Sequence, residues 1–430
     1  MKSPPRSGFP PPRLLGARPA LRFFIAVRAA DELAAQMLNV AIGWYVYAAD
    51  HDPMSLAYVG LAQFLPNIGL VLIAGQAADR FDRGRLIRLS FLVEAICLAL
   101  FSAWSEAAAP AAGPVYLLLL VIGSARAFAA PALSATLPRV AGGEEFPRAV
   151  AAVSLASQIA TIAGPAIGGL VYAACGPGTF AIAAALYLLA MIPLRRLAGG
   201  RPVEEKPTAA NPESSLTESS LLGGIRAVLA NRVLLALVSL DLFAVLLGGV
   251  TALLPIYARD ILAVGPIGLG ALRCAPGAGA ALVGMVLAHR AIGRGAGKRM
   301  LACVAGFGLA TIVFAVSTSL WLSLASLAAA GGFDMVSMVV RQTVVQVATP
   351  DALRGRVSAV NLLFVGASSE LGEFESGLAA ALFGAVPAAL LGGLGTLAVV
   401  ALWSVLFPEL RRAETLTAAA AAPAPPCYGE

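Results

Sequence analysis

The chain has 430 residues, of which 59% are apolar and only 13% charged, whereas soluble domains run near half apolar and about a quarter charged. A water-soluble fold is excluded. The formal net charge of +6 calls for no nucleic-acid partner, because the anionic inner leaflet of a bilayer accounts for basic loops.

Residues 1–20 are Pro-rich and basic and lack the apolar core of a cleaved signal peptide, so they read as a disordered cytoplasmic leader. Apolar segments then follow one another to residue 407, each long enough for a hydrocarbon core of roughly 30 Å. Twelve spans are predicted, over 22–48, 55–77, 85–107, 114–137, 149–173, 179–195, 233–257, 267–289, 299–317, 319–345, 357–382 and 385–407. Barrel strands would alternate in polarity, and runs such as 117–122 and 242–247 do not. Helices, which satisfy their backbone hydrogen bonds internally, are the remaining spanning element. The expected class is an all-α membrane protein with twelve transmembrane helices.

The basic residues orient these spans, since cytoplasmic loops retain Lys and Arg. Of the thirty, twenty-five fall in or at the edge of the N-terminal segment, the loops after spans 2, 4, 6, 8 and 10, or the C-terminal tail, and Arg259 alone lies in an outer loop. Both termini are therefore expected on the cytoplasmic side of a cell membrane. Residues 196–231 interrupt the spans with a polar stretch rich in Pro, Ser and Glu, the composition of a linker that buries too little surface to fold. The predicted organisation is a six-helix bundle at 21–195, a cytoplasmic linker at 196–231, a second six-helix bundle at 232–408, and a disordered tail at 409–430. Two such halves suggest a duplicated transporter built around a midplane site; similarity between the halves is not visible in the sequence itself.

Charges inside the spans are the candidate functional residues, because each costs about 2.5–3.5 kcal/mol at mid-helix on insertion scales and needs a partner, water or a role. Span 1 carries Arg28, Asp31, Glu32 and Asn39 at i, i+3, i+4 and i+11, one polar stripe in which Arg28 can neutralise Asp31 or Glu32. Arg126 lies in span 4, Asp241 in span 7, Arg273 in span 8, and Asp334 and Arg341 in span 10. Span 11 holds Glu370, Glu373 and Glu375; the first two share a face and the third points elsewhere. Arg28 and Arg341, near helix ends, are expected to snorkel or to lock helices together. Glu94 in span 3 stands apart from this set. The five cysteines, Cys97, Cys175, Cys274, Cys303 and Cys427, show no metal-ligand or disulfide spacing, so no metal and no cofactor is expected.

Two motifs carry a family resemblance. At the inner end of span 2 stand Gly75, Asp79, Arg80, Arg83 and Arg85, in the stretch GQAADRFDRGRLIR. They resemble the loop signature Gly-x-x-x-Asp-Arg-x-Gly of the major facilitator superfamily, with departures at Ala77, Asp82 and Gly84. Asp82 replaces a glycine, and aspartate is among the few residues that tolerate a left-handed turn. In span 5, Gly164, Pro165, Gly168 and Gly169 of GPAIGG resemble an element of the superfamily's exporters, although Ala160 and Ala151 stand where its longer form has glycines. MLNVAIGWYVY, VGLAQFLP, SLDLFAVLLGG, PDALRGRVSAVN and ELGEFESG extend the resemblance to the branch of enterobactin exporters and macrolide-efflux proteins.

The resemblance implies the major facilitator fold, with spans 1, 4, 7 and 10 lining a cavity and 3, 6, 9 and 12 facing lipid. It also implies that the 75–88 loop latches the two bundles in one state. The expected function is proton-coupled export of a small amphipathic molecule, a siderophore or drug, by a monomer working through alternating access. Asp31, Glu32 or the span 11 glutamates would carry the proton. An importer of a small metabolite, or the permease subunit of an ATP-driven pump, remains an alternative. The chain has no Walker A of its own: GRGAGKR at 293–299 has the wrong glycine spacing and no Ser or Thr after Lys298. An enzyme is not expected, since no HExxH or GxSxG and no clustered His, Asp and Cys set occurs.

Overall fold

The structure, a computed structural model, describes residues 19–107, 113–141, 145–198, 218–289, 295–349 and 351–408. The expected leader up to residue 18, the linker stretch 199–217 and the tail 409–430 lie outside the described residues, as does the side chain of Asp79.

The first half folds as α1 (Pro19–Asp50), α2 (Pro53–Arg80), α3 (Arg83–Ala107), α4 (Gly113–Val140), α5 (Phe146–Cys175) and α6 (Thr179–Ala198). A short helix, α7 (Glu218–Ala230), precedes the second half: α8 (Arg232–Gly248), α9 (Gly265–His289), α10 (Ala296–Val316), α11 (Leu320–Ala348), α12 (Asp351–Phe383) and α13 (Ala385–Leu406). Among the described residues, eight helices are long and apolar enough to cross a membrane by length and composition: α3, α4, α5, α8 with its continuation, α9, α10, α11 and α13. α1 and α12 carry the polar stripe and the glutamates, and with α2 and α6 they complete twelve long helices.

Local chemistry sets the boundaries. Asp52 caps α2 by accepting from the Met54 amide at 2.9 Å, with Pro53 at the first helical position. Asn231 caps α8 in the same way, through the amides of Val233 and Leu234. Asp82 accepts from the Arg85 amide at 2.7 Å, and among the described residues only His51 and Ala263 are non-glycines with positive φ. Asp82 is thus the N-cap of α3 and makes no left-handed turn.

Two expectations are corrected. The linker does not run unfolded to residue 231: α7 occupies its second part and packs on α12, with Ile225 and Val228 joining Leu234, Val345, Val357 and Val360 in one apolar cluster. Its apolar residues, spaced at helical intervals inside a polar composition, supply enough buried surface when another helix is there to cover them. Span 7 is not one continuous helix either. α8 stops at Gly248, and the chain continues as a 3₁₀ turn (Val250–Leu253), a short α segment (Leu254–Ile256) and a π turn (Tyr257–Ile261). Two glycines and Pro255 weaken the helix here, and close packing occupies the space a side chain would need. A Cβ on Gly249 would lie 3.2 Å from the Gly372 carbonyl carbon, and one on Gly248 would meet Phe307.

The packing reveals a repeat that the sequence hides. In the first half α1 packs on α5 and α6, α2 on α4, and α3 on α4 and α6; in the second, α8 packs on α12 and α13, α9 on α11, and α10 on α11 and α13. Every one of these pairs recurs six spans later, so the two halves are six-helix bundles of one design. Two principal crossings join them, α5 with α9 and α2 with α12, and these too exchange under the repeat.

Glycines make those crossings close. Gly169 of α5 faces Gly270 of α9, a Cβ on it lying 3.0 Å from the Gly270 Cα. Gly60 of α2 sits against Glu373 and Phe374 of α12, and Gly377 of α12 against the backbone of Ala57. These approaches fall in the half of each helix nearer the α1–α2 turn, called here the Asp52 end. The opposite end carries the α2–α3 turn and is called the Asp82 end.

Candidate functional site

Between the bundles, alongside the crossing of α2 with α12, lies a cavity of about 190 Å³. The first bundle lines it with Asn39 and Gly43 of α1 and Leu56, Val59 and Gln63 of α2. The second contributes Ala252 from the broken stretch after α8, Arg273 of α9, and Ser369, Glu370 and Glu373 of α12. The two span 11 glutamates that share a helical face therefore reach the cavity together. Glu375 does not, and its carboxylate instead accepts from Ser376 at 3.4 Å. Arg273 is within electrostatic reach of Glu373, and its buried Nε has no hydrogen-bond partner among the described residues. A buried guanidinium beside an acid, with a donor still unused, suits a polar or anionic group on a bound molecule.

The polar stripe of α1 divides between two partners. Arg28 pairs with Asp31 at 3.4 Å, both half-buried. Glu32 turns toward α5, accepting from Gln36 Nε2 at 2.9 Å and from Thr161 Oγ1 at 3.1 Å. Of the two acids open to Arg28 by spacing, the structure gives it Asp31.

Arg126 reaches away from the cavity. Its Nε donates to Glu94 at 3.2 Å and its Nη2 to the Tyr187 hydroxyl at 3.1 Å, so α3, α4 and α6 meet on one guanidinium. Asp31 lies within electrostatic reach of the same group. Glu94 is fully buried, which corrects the view of it as an outlier on a lipid-facing helix. Leu89, Leu92, Ile96 and Leu100 make one face of α3 exposed, and Glu94 lies on the buried side, where Arg126 supplies its counter-ion. Neither Glu94 nor Tyr187 could be paired with Arg126 from sequence, because their partnership depends on the rotation of three helices.

In the second bundle Asp241 of α8 and Arg341 of α11 form a close ion pair, each residue 4% exposed. Arg341 therefore does not snorkel: its side chain is drawn inward by the acid across the bundle. Asp334 lines a small pocket with Asp241, Phe307, Phe333 and Ser337. It is itself exposed, without an ion pair among the described residues.

The 75–88 loop sits at the Asp82 end. Gly75 and the backbone of Asp79 belong to the last turns of α2, and Arg80 and Arg85 are exposed. Arg83 donates from Nη1 to the Ala135 carbonyl at 2.8 Å and from Nε to Ala78 at 3.4 Å, tying α2, α3 and α4 of one bundle together. The span 5 element works between bundles as well as within one. Gly164 and Gly168 let α5 close on Gln36 and Met37 of α1, while Pro165 and Gly169 present backbone to Gly270 of α9.

The model of the Major Facilitator Superfamily matches residues 25–373. The chain is 27% identical over 407 residues to the enterobactin exporter EntS of Escherichia coli O1:K1 / APEC, covering 93% of this chain and 94% of that one, and equally to the enterobactin exporter of Escherichia fergusonii. Among solved structures, a point mutant of the nucleoside transporter NupG superposes with a TM-score of 0.71 at 13% identity, covering 90% of this chain and 100% of that one. A bacterial homologue of the human lysosomal transporter Spinster, solved inward-facing and occupied, superposes with a TM-score of 0.71 at 14% identity, covering 94% and 99%.

Proposed function

Since the chain belongs to the major facilitator superfamily, we propose that it is a proton-coupled exporter of small amphipathic molecules, working by alternating access of its two bundles. The observation that carries this reading is the cavity walled by both bundles, in which Arg273, Glu370 and Glu373 face side chains of α1 and α2. A site shared by two bodies is remade whenever they rock, which is what a carrier requires. The similarity to enterobactin exporters along nearly the whole chain supports export, and siderophores as the first cargo class to try.

The bundles at 21–195 and 232–408 are the moving bodies, and 196–231 is their tether. The basic loops support a cytoplasmic location for the termini and the Asp82 end, and on that reading the crossings of α5 with α9 and α2 with α12 close the outer side. On opening outward, the Asp82 end closes, and Gly75, Asp79, Arg80, Arg83 and Arg85 become the latch across it. Asp31, compensated by Arg28 and near Arg126, is the first candidate for the proton carrier, with Glu370 and Glu373 next. One charge crossing the full membrane potential is worth about 2.3 kcal/mol per 100 mV, enough to move cargo against a gradient. The protein acts as a monomer with no cofactor.

Reconstitution into proteoliposomes with an imposed pH gradient, no ATP and enterobactin as the probe tests this. Gradient-driven movement that protonophore abolishes is the expected result. Movement that needs ATP and survives protonophore overturns it, and gradient-driven accumulation toward the cytoplasmic face makes the protein an importer. Asp31→Asn with Glu32→Gln is expected to stop coupled transport; intact transport in that variant passes the role to Glu370 and Glu373.

A further inference from the structure

At the Asp52 end, a cluster outside the cavity bridges the bundles. The Tyr47 hydroxyl at the end of α1 donates to the Asp260 carboxylate of the π turn. One residue earlier, Arg259 lies 3.2 Å from His51 Nε2 by its Nη2 and 5.8 Å above the Trp44 ring. The Tyr47 and His51 rings meet edge-on at 5.7 Å. Three side chains of the first bundle are thus held by two adjacent residues of the second.

The backbone around this cluster is unusual on both sides. Arg259 and Asp260 sit in the π turn Tyr257–Ile261, a form rare in proteins and frequent at functional sites. His51, with φ 56°, and Ala263, with φ 52°, are the two described non-glycine residues in the left-handed region. They lie in the two turns that face each other here. Such conformations persist where the surroundings over-determine them. The turn is also anchored in its own bundle: Tyr257 is fully buried, donates to the Ala315 carbonyl at 2.8 Å and stacks on Phe314. A rigid base therefore presents Arg259 and Asp260 to α1.

We propose that Tyr47 and Asp260, backed by Arg259 against Trp44 and His51, form the lock that holds the Asp52 end shut, and that its release is a step of the transport cycle. The lock rests on the rocking-bundle reading and adds its residues. Tyr47 and Asp260 are positioning residues: they line no part of the cavity and act by setting which end is open. A hydrogen bond between a neutral hydroxyl and a carboxylate is among the stronger ones in proteins, so its loss shifts the open-to-closed ratio at this end by about tenfold or more.

The test is a distance measurement in lipid nanodiscs, on a background whose five cysteines are replaced by alanine. One spin-label pair at Leu117→Cys and Trp321→Cys, both exposed near the Asp52 end of α4 and α11, reports that end. A second pair at Arg139→Cys and Val347→Cys, exposed at the other ends of the same helices, reports the Asp82 end. Tyr47→Phe and Asp260→Asn are each expected to raise the long-distance population at the Asp52 end about tenfold and to lower it at the Asp82 end. The double variant is expected to go no further than either single. Pairs that move with added enterobactin or pH, yet behave in both single variants as in the parent, overturn the lock and leave the rocking reading standing. Pairs that stay fixed under every condition overturn the rocking reading itself.

Discussion

Gly169→Ala is the most exacting test of how the bundles meet. A Cβ at Gly169 would stand 2.5 Å from the Pro266 carbonyl oxygen, and ordinary contact begins at 3.4 Å, so α5 and α9 would have to part by about 0.9 Å. The obstructing atoms are backbone, which no rotamer change can move aside. Overpacking of this kind costs about 1–3 kcal/mol. Under the proposed rocking of the bundles the cost falls only on the state in which the Asp52 end is closed, so the equilibrium should move toward the open state by roughly 5- to 150-fold. The assay is the rate at which a membrane-impermeant maleimide, applied from the Asp52 side of oriented proteoliposomes, labels Ser369→Cys in the cavity wall. Labelling should be slow in the parent and at least about fivefold faster with Gly169→Ala. Gly164→Ala is the matched control: its Cβ would lie 2.5 Å from the Gln36 Cβ within one bundle, so it should lower thermal stability and leave the labelling rate alone. An unchanged labelling rate in a folded Gly169→Ala protein, or equal acceleration by both variants, refutes the reasoning.

Removing one partner of the buried Asp241–Arg341 pair should destabilise the second bundle by about 3–5 kcal/mol, whereas Asp241→Leu with Arg341→Met should regain most of it; thermal unfolding in detergent reads both. Glu94→Ala leaves Arg126 with Tyr187 and the more distant Asp31, and should lower unfolding temperature and gradient-driven transport together, while Leu92→Ala, at an exposed position on the same helix, changes neither. Asp82→Ala should weaken the start of α3 by about 0.5–2 kcal/mol, and Asp82→Gly by only a few tenths. Equal losses in a hydrogen-exchange comparison of the α3 amides would show that the cap is not what holds this turn.

Much of the fold is legible in one dimension. Membrane class and the number of spans follow from apolar run length, a property a segment carries whatever it packs against. The spacing of Glu370 and Glu373 put them on one face, and the structure turns that face to the cavity while Glu375 looks away. The GPAIGG element also announced close packing, because small residues in a span have few other uses.

The partners are a different matter. Tyr47 and Asp260 are 213 residues apart, and Arg126 and Glu94 are 32 apart on different helices; no periodicity links such pairs. Which residues meet is set by how each helix is rotated and which helix lies beside it, and packing of the whole decides that. Only tertiary structure could take Glu94 from an outlier to a counter-ion, turn Arg341 inward and break span 7 at Gly249. It alone showed one packing plan repeated in both halves, since packing constrains the shape of contact surfaces and leaves side-chain identity free to diverge. Sequence determined that this chain lies in a membrane as helices bearing a few costly charges. Tertiary structure decided which of those charges neutralise one another and which face the cavity.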